Sequence, residues 1–98
     1  MSWTTYEFED VTVTLNKRTM TAEGVVNVRY TIHDPDRSVG EMYRYAEIEA
    51  YDDIEVDIYD EEADITIGTT VKPGHPMHDE IILQLDEDFI LEKCMDDD

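Results

Sequence analysis

Apolar and polar residues alternate along long stretches of the chain, and this period of two is typical of half-buried β-strands. Between positions 11 and 15, valine or leucine alternates with threonine, whereas upstream Tyr6 and Phe8 occupy the opposite parity. The change of parity predicts either a bulge near Glu9 and Asp10 or two short strands that meet there.

A second alternating segment covers positions 26–32 and follows a polar turn at 16–18. These two features predict a hairpin between the first two strands. The next segment, HDPDRSVG at 33–40, is rich in turn-forming residues and is expected to be a loop. Within it, Asp34 is expected to be extended because Pro35 follows it.

The segment 42–59 alternates again and predicts a long third strand. One parity is apolar and comprises Ile48, Ala50, Ile54, Val56 and Ile58. The other parity comprises Glu47, Glu49, Tyr51, Asp53, Glu55 and Asp57. Asp52 interrupts the apolar set, which predicts a break or bulge near Asp52 and Asp53. An acidic turn at 60–64 and a further strand at 65–71 follow.

The hydrophobic period changes to that of a helix near Pro76, a residue suited to the first helical position. Apolar residues then recur at helical spacing: Ile81, Ile82, Leu85 and Phe89. We expect one helix from about Pro76 to Met95. The alternative is a strand at 81–85 followed by a shorter helix from Asp86, and it stays open at this point.

The pattern as a whole predicts one acidic α+β domain over residues 1–95, with a frayed acidic tail at 96–98. We expect an antiparallel β-sheet of four to five strands, with one C-terminal α-helix packed on its apolar face. A length of 98 residues allows one modest core, and a hydrophobic fraction of 41% is high enough for a folded chain.

Charge is the most unusual property of the sequence. The chain has 26 Asp and Glu against 7 Lys and Arg, which gives a formal net charge of -19. Such a chain has no basic patch with which to bind nucleic acid directly, and its like charges oppose the compact state. The acidity therefore suggests a basic partner.

Cysteine use and the first residues bear on the compartment. Cys94 has no second cysteine with which to form an internal disulfide or a zinc site, which favours a reducing cytoplasm. Met1 to Asp10 contain no basic segment followed by an apolar run, and the longest aliphatic run is Ile81 to Leu83. We therefore expect neither a secretion signal nor contact with a membrane.

No motif in the sequence supports catalysis or a cofactor. Carboxylates are abundant, but no nucleophile motif accompanies them and no two glycines are close enough for a phosphate loop. His75 and His78 lie near Asp79, yet a helix cap and a surface histidine explain them without a metal. We expect no catalytic residue, no cofactor and no metal site.

The acidic parity of the third strand is the candidate binding surface. Side chains at i and i+2 of a strand point the same way, about 6.6 to 6.8 Å apart, so this parity forms a column of carboxylates. The spacing is comparable to the step between phosphates along a nucleic-acid strand. Its expected partner-binding residues are Glu47, Glu49, Asp53, Glu55 and Asp57, the turn residues Asp60, Glu61 and Glu62, and the aromatic anchors Tyr51 and Tyr59.

The segment 46–62 contains no Lys or Arg, whereas ordinary solvated faces mix both signs. In size and charge the chain resembles the small acidic DNA-mimic inhibitors of bacteriophages and mobile elements, which include anti-CRISPR and anti-restriction proteins. The resemblance covers the whole chain and includes no shared motif. It implies a non-enzymatic inhibitor that blocks the basic groove of a DNA-binding or DNA-cleaving protein in the host cytoplasm.

Two other interpretations remain open. The chain is alternatively an acidic structural or assembly protein that binds a basic protein partner, or a salt-adapted domain whose charge does not report function. The assembly interpretation needs an exposed apolar patch, which the surplus apolar residues of the last helix would supply: Leu83, Ile90 and Leu91. The same surplus leaves a homodimer open.

Overall fold

The computed structural model describes residues 2–35 and 43–97 and shows four strands followed by two helices. They are β1 (Ser2–Leu15), β2 (Arg18–His33), β3 (Tyr45–Asp60), β4 (Ile65–Val71), α1 (Pro76–Ile82) and α2 (Glu87–Asp97). The strands form one antiparallel sheet in the order β1-β2-β3-β4. The α+β class and the antiparallel meander are therefore confirmed.

The hairpin of β1 and β2 closes through Asn16 and Lys17, both of which have positive φ, as the tight turns that match strand twist require. The bulge expected at Glu9 and Asp10 is present. The register shifts between Phe8 and Val11, and Asp10 has a φ of 55°. Because of this bulge, Phe8 and Val11 are both buried on the same face of the sheet.

β3 carries two irregularities opposite β2. The first lies at Asp52 and Asp53, as the sequence predicted, because Val26 pairs with Ile54 and Val28 with Tyr51. Its two carbonyl groups still have donors: His78 Nε2 lies 2.7 Å from the Asp52 oxygen and Asn27 Nδ2 lies 3.0 Å from the Asp53 oxygen. The second leaves Glu49 unpaired between Ala50 and Ile48.

One face of the sheet carries the core, and both helices pack on it. The buried residues of the strands are mainly Val and Ile at alternating positions: Val11, Val13, Val26, Val28, Ile54, Val56 and Ile58. The helices add Met77, Ile81, Ile90 and Cys94 to the same cluster. Fully burying one such aliphatic side chain contributes about 1.5 to 3 kcal/mol, so this face holds the fold together.

The C-terminal segment forms two helices, so the expectation of one continuous helix is wrong. α1 ends at Ile82, Leu83 is 85% exposed, and Asp86 Oδ1 accepts hydrogen bonds from the N–H groups of Asp88 and Phe89 at the start of α2. The alternative placed the second helix correctly, but its strand at 81–85 is wrong because α1 includes the first part of that segment.

His75 caps α1 as expected, because its Nδ1 accepts a hydrogen bond from Met77 N–H. His78 is buried rather than on the helix surface, and its Nε2 donates a hydrogen bond to the Asp52 carbonyl in the bulge of β3. At the other end, α2 continues through Asp97, where the sequence predicted a frayed tail. The predicted loop at 33–40 lies outside the described residues from position 36, and so does Asp98.

The described residues form a long, narrow body of 59 × 22 × 17 Å. None of its helices has the length and apolar character needed to cross a membrane.

Candidate functional site

The face of the sheet opposite the helices is exposed to solvent and carries a group of carboxylates. The registers of the sheet determine which side chains are neighbours there. Glu23 on β2 pairs with Asp57 on β3, and one step along the sheet Val25 lies between Glu7 on β1 and Glu55 on β3. Adjacent strands lie about 4.8 Å apart, so carboxylates from three strands gather in a small area.

We call this group the carboxylate face, and it comprises Glu7, Glu9, Glu23, Glu55 and Asp57. All five residues are exposed. Four of them line one depression of about 440 Å³, together with Phe8, Gly24 and Val25. Among the residues that the structure describes, none lies in an ion pair with any of the five.

The two arginines of β2 form ion pairs outside the carboxylate face. Arg18 lies 2.6 Å from Asp60 and 2.8 Å from Glu62, at the turn after β3. Arg29 lies 3.4 Å from Asp52, and its guanidinium sits 5.5 Å from the centre of the Trp3 ring. The negative charge of the carboxylate face is therefore not offset by these side chains.

Gly68 leaves the carboxylate face accessible from the β4 side. It pairs with Asp57, and a Cβ atom at this position would lie 3.1 Å from Asp57 Oδ1. A second depression, of about 410 Å³, extends from Val25 over Glu55 and Asp57 to Gly68 and Thr70. A cationic group that approaches over β4 meets no side chain at the position beside Asp57.

The predicted column on β3 is only partly intact. Glu55 and Asp57 are exposed on the carboxylate face, as expected. Glu47 is exposed too, but its Oε2 lies 2.7 Å from His33 Nε2. Asp53 lies 4.0 Å from the Lys72 ammonium, and Glu49 lies in the second bulge. The two bulges interrupt the regular spacing that the column needs.

Tyr51 does not belong to this surface, so the parity assigned to it was wrong. It pairs with Val28 and packs against the core cluster, because the bulge at Asp52 and Asp53 reverses the alternation. Burial raises the pKa of Tyr51, and the charges of Glu87 and Cys94 on α2 add to the rise. The side chain therefore faces α2 and is not an anchor on the carboxylate face.

Tyr59 lies on the same side of the sheet as the carboxylate face and is 39% exposed. Its hydroxyl donates a hydrogen bond of 2.7 Å to Asp64 Oδ1, and this hydrogen bond, together with burial and the nearby carboxylates, raises the pKa of Tyr59. Of the turn residues, Glu61 and Glu62 are exposed, and Glu62 is paired with Arg18.

Asp60 is buried and holds the turn together, which differs from the binding role expected of it. Its Oδ1 accepts hydrogen bonds from Arg18 and from the N–H groups of Glu62 and Ala63. Burial alone raises the pKa of Asp60, but these hydrogen bonds and the Arg18 charge outweigh it and lower the pKa below its ordinary value of 3.8. This carboxylate is unavailable to a partner.

The sequence reasoning missed the three carboxylates that β1 and β2 contribute, Glu7, Glu9 and Glu23. Glu7 lies between Tyr6 and Phe8 in sequence, and Glu23 lies between Ala22 and Gly24. Their outward parity was therefore visible. Their position beside Asp57 depends on the register between strands, which these patterns leave open.

In the described part of the chain, no three His, Cys, Asp or Glu side chains converge in a way that could hold a metal ion. The five side chains of the carboxylate face are carboxylates, which only accept hydrogen bonds when they are ionised. Its chemistry is that of a surface that accepts hydrogen bonds from cationic groups.

Comparison with protein-family models finds no match, and comparisons with curated proteins and with solved structures find none either.

Proposed function

We propose that the chain is a non-enzymatic inhibitor that presents a nucleic-acid-like negative surface to the basic groove of a DNA-binding or DNA-cleaving protein. The surface is the carboxylate face, and the partner is a protein that binds phosphates through Lys and Arg. Anti-CRISPR and anti-restriction proteins of bacteriophages represent the same class of action, which would take place in the host cytoplasm. The chain itself binds no nucleic acid in this proposal.

One observation carries the proposal: carboxylates from three adjacent strands lie together on an uncovered face, and no described cation neutralises them. Like charges placed directly opposite one another on a sheet are destabilising. Glu23 and Asp57 form such a pair. Lys and Arg side chains of a partner would relieve the repulsion between the two carboxylates, which favours binding. The geometry supplies two spacings, about 4.8 Å between strands and about 6.7 Å along them, with which side chains in a phosphate-binding groove can pair.

The competition should depend on salt, because exposed charges are screened over about 10 Å at 0.1 M ionic strength. Duplex DNA and the carboxylate face would bind the same Lys and Arg side chains of the groove, and either one would release counterions to the solvent. The two ligands should therefore exclude each other. Affinity and salt dependence together distinguish this interaction from one through an apolar patch.

The test is affinity capture from a bacterial lysate on the immobilised chain, with and without excess duplex DNA. A parallel column carries the variant Glu23→Gln with Asp57→Asn, and a control column carries Glu92→Gln with Asp96→Asn, which removes the same charge from α2. Captured proteins are identified by mass spectrometry.

We expect to capture a nucleic-acid-binding protein that duplex DNA elutes. The column with Glu92→Gln and Asp96→Asn should retain this protein better than the column with Glu23→Gln and Asp57→Asn. Capture of proteins that duplex DNA does not displace would contradict the proposal. Equal retention on both variant columns would show that only total charge matters.

A further inference from the structure

The two edges of the sheet are treated differently by the rest of the chain. At the β1 edge, Thr12 N–H donates to Gln84 Oε1 over 2.9 Å, and Gln84 Nε2 donates to the Thr12 carbonyl over 2.6 Å. Thr14 N–H and its hydroxyl both donate to the Glu80 carboxylate. Side chains from the segment around α1 therefore occupy the backbone groups that a further strand would use.

The β4 edge has no such cover among the described residues. The strand reads ITIGTTV, with no charge, no proline and no bulge, and every residue before Val71 is exposed. Ile65 and Ile67, on the same side as the helices, are 49% and 39% exposed. Exposed edges of this kind are normally blocked by charges, prolines or bulges, because they add further strands readily.

We propose that β4 binds an extended segment of the basic partner protein as a fifth strand of the sheet. The proposal rests on the proposed function for the charge of that partner and adds where and how a segment of it binds. Backbone hydrogen bonds to β4 would supply affinity, as in other cases of strand addition. The side chains of the segment would alternate between the two faces of the sheet. Those beside Ile65 and Ile67 would be apolar, and those on the carboxylate face would be Lys or Arg.

Gly68 explains how a basic side chain of the segment would reach the carboxylate face. A fifth strand would lie about 10 Å from β3, which is two strand spacings, so a long side chain must cross β4 to reach Asp57. A Cβ at position 68 would already lie 3.1 Å from Asp57 Oδ1. Because glycine stands there, a Lys or Arg of the added strand has an unobstructed path to Asp57 and Glu55.

A second copy of this chain fits the edge less well. Its β4 would place threonine and glycine on the carboxylate face and would leave Asp57 without a cation. It would also bring two chains of formal net charge -19 together. A segment with Lys or Arg at alternate positions offsets the charge that a second copy would double.

The test uses a synthetic peptide of alternating valine and lysine with the length of β4, seven residues. The first control has the same sequence with alternate backbone nitrogens methylated, which removes donors and keeps the charge. The second has glutamate in place of lysine. The 15N-labelled chain is titrated with each peptide, and dissociation constants and amide shifts are measured by NMR for the wild type and Gly68→Val.

We expect the unmethylated lysine peptide to shift the amides of β4 most. Backbone methylation should weaken its binding by about tenfold or more, since it removes several of the hydrogen bonds to β4. Gly68→Val should also weaken it, because the side chain closes the path to Asp57. The comparison of the two lysine peptides uses the wild-type chain and does not depend on how the variant folds.

Equal binding of the methylated and unmethylated lysine peptides would overturn the proposal. So would a dimer in sedimentation equilibrium that Ile67→Lys dissociates, because the edge would then belong to a second copy. Neither result touches the proposed function, whose own tests are the displacement of the captured partner by duplex DNA and the comparison of charge reversal at Glu55 and Asp57 with an equal charge change on α2.

Discussion

Glu23 on β2 lies directly opposite Asp57 on β3, so two carboxylates of the same sign form a cross-strand pair on the open face of the sheet. Both are exposed, and no described cation is paired with either. Opposed like charges cost stability in an antiparallel sheet. The pair therefore links the fold to the proposed function, because a cationic partner would relieve the repulsion.

The substitution Glu23→Gln should stabilise the chain. It removes one charge of the opposed pair and should raise the free energy of unfolding by about 0.2 to 1 kcal/mol at low salt. Urea denaturation at low and at high salt measures the effect, which should shrink as salt screens the pair. Glu92→Gln on α2 is the control for total charge. An equal gain from both variants would contradict a specific cross-strand repulsion.

Gly24 and Gly68 should respond differently to alanine. A Cβ at Gly24 would collide with the Glu55 carbonyl oxygen and would lie 2.9 Å from Val56 Cα, and both atoms belong to the backbone of β3. Gly24→Ala should therefore cost about 3 kcal/mol or more. At Gly68 the contact is the end of the Asp57 side chain, which can move, so Gly68→Ala should cost less than about 1 kcal/mol. Urea midpoints of similar size would contradict this account.

Gln84 should protect the β1 edge from solvent and from other strands. Gln84→Ala removes the acceptor and the donor that hold Thr12, and the expected loss is about 0.5 to 1.5 kcal/mol because the freed backbone groups can bind water. Amide exchange at Thr12 should accelerate. In Gln84→Glu the acceptor remains and exchange should accelerate less. Unchanged exchange at Thr12 in the alanine variant would show that the edge is protected in some other way.

Asp60 should make the turn after β3 sensitive to acid. Its pKa in the folded chain lies below the ordinary value of 3.8, so its contribution to stability is complete above that value and is lost as the pH falls through the folded pKa. Asn in its place keeps an acceptor and loses the charge beside Arg18. The difference in Tm between wild type and Asp60→Asn should hold from neutral pH to about 4 and shrink below it. A difference independent of pH would contradict the role of the charge.

Several features of the fold could be predicted because they depend on local pattern. The bulge near Glu9 and Asp10 follows from the change of parity between Phe8 and Val11, and the bulge at Asp52 and Asp53 follows from a polar residue in an apolar series. The expectation of one continuous helix missed the break between α1 and α2 because apolar residues continue through Leu83, whereas the alternative began a helix at Asp86. The capping aspartate at position 86, followed by acidic residues, was the signal for it.

The composition of the site could be predicted only in part. Glu55 and Asp57 lie in a regular part of β3, where parity alone gives their direction. The direction of Tyr51 depends on the bulge beside it, and the pairing of Asp53 with Lys72 depends on tertiary structure. Glu23 became a member through the register of β2 against β3, which is determined by the packing of the whole sheet.

The central claim is that a partner recognises the carboxylate face as a geometric arrangement and not as total charge. The most direct test is the dissociation constant of the captured partner for three forms of the chain: wild type, Glu55→Lys with Asp57→Lys, and Glu92→Lys with Asp96→Lys. Both variants change the net charge equally, and lysine near the C-terminal end of α2 suits the helix dipole. We predict that reversal on the face weakens binding at least about tenfold more than reversal on α2, since close charge pairs are worth more than about 1.4 kcal/mol. Equal weakening by the two variants would contradict the account.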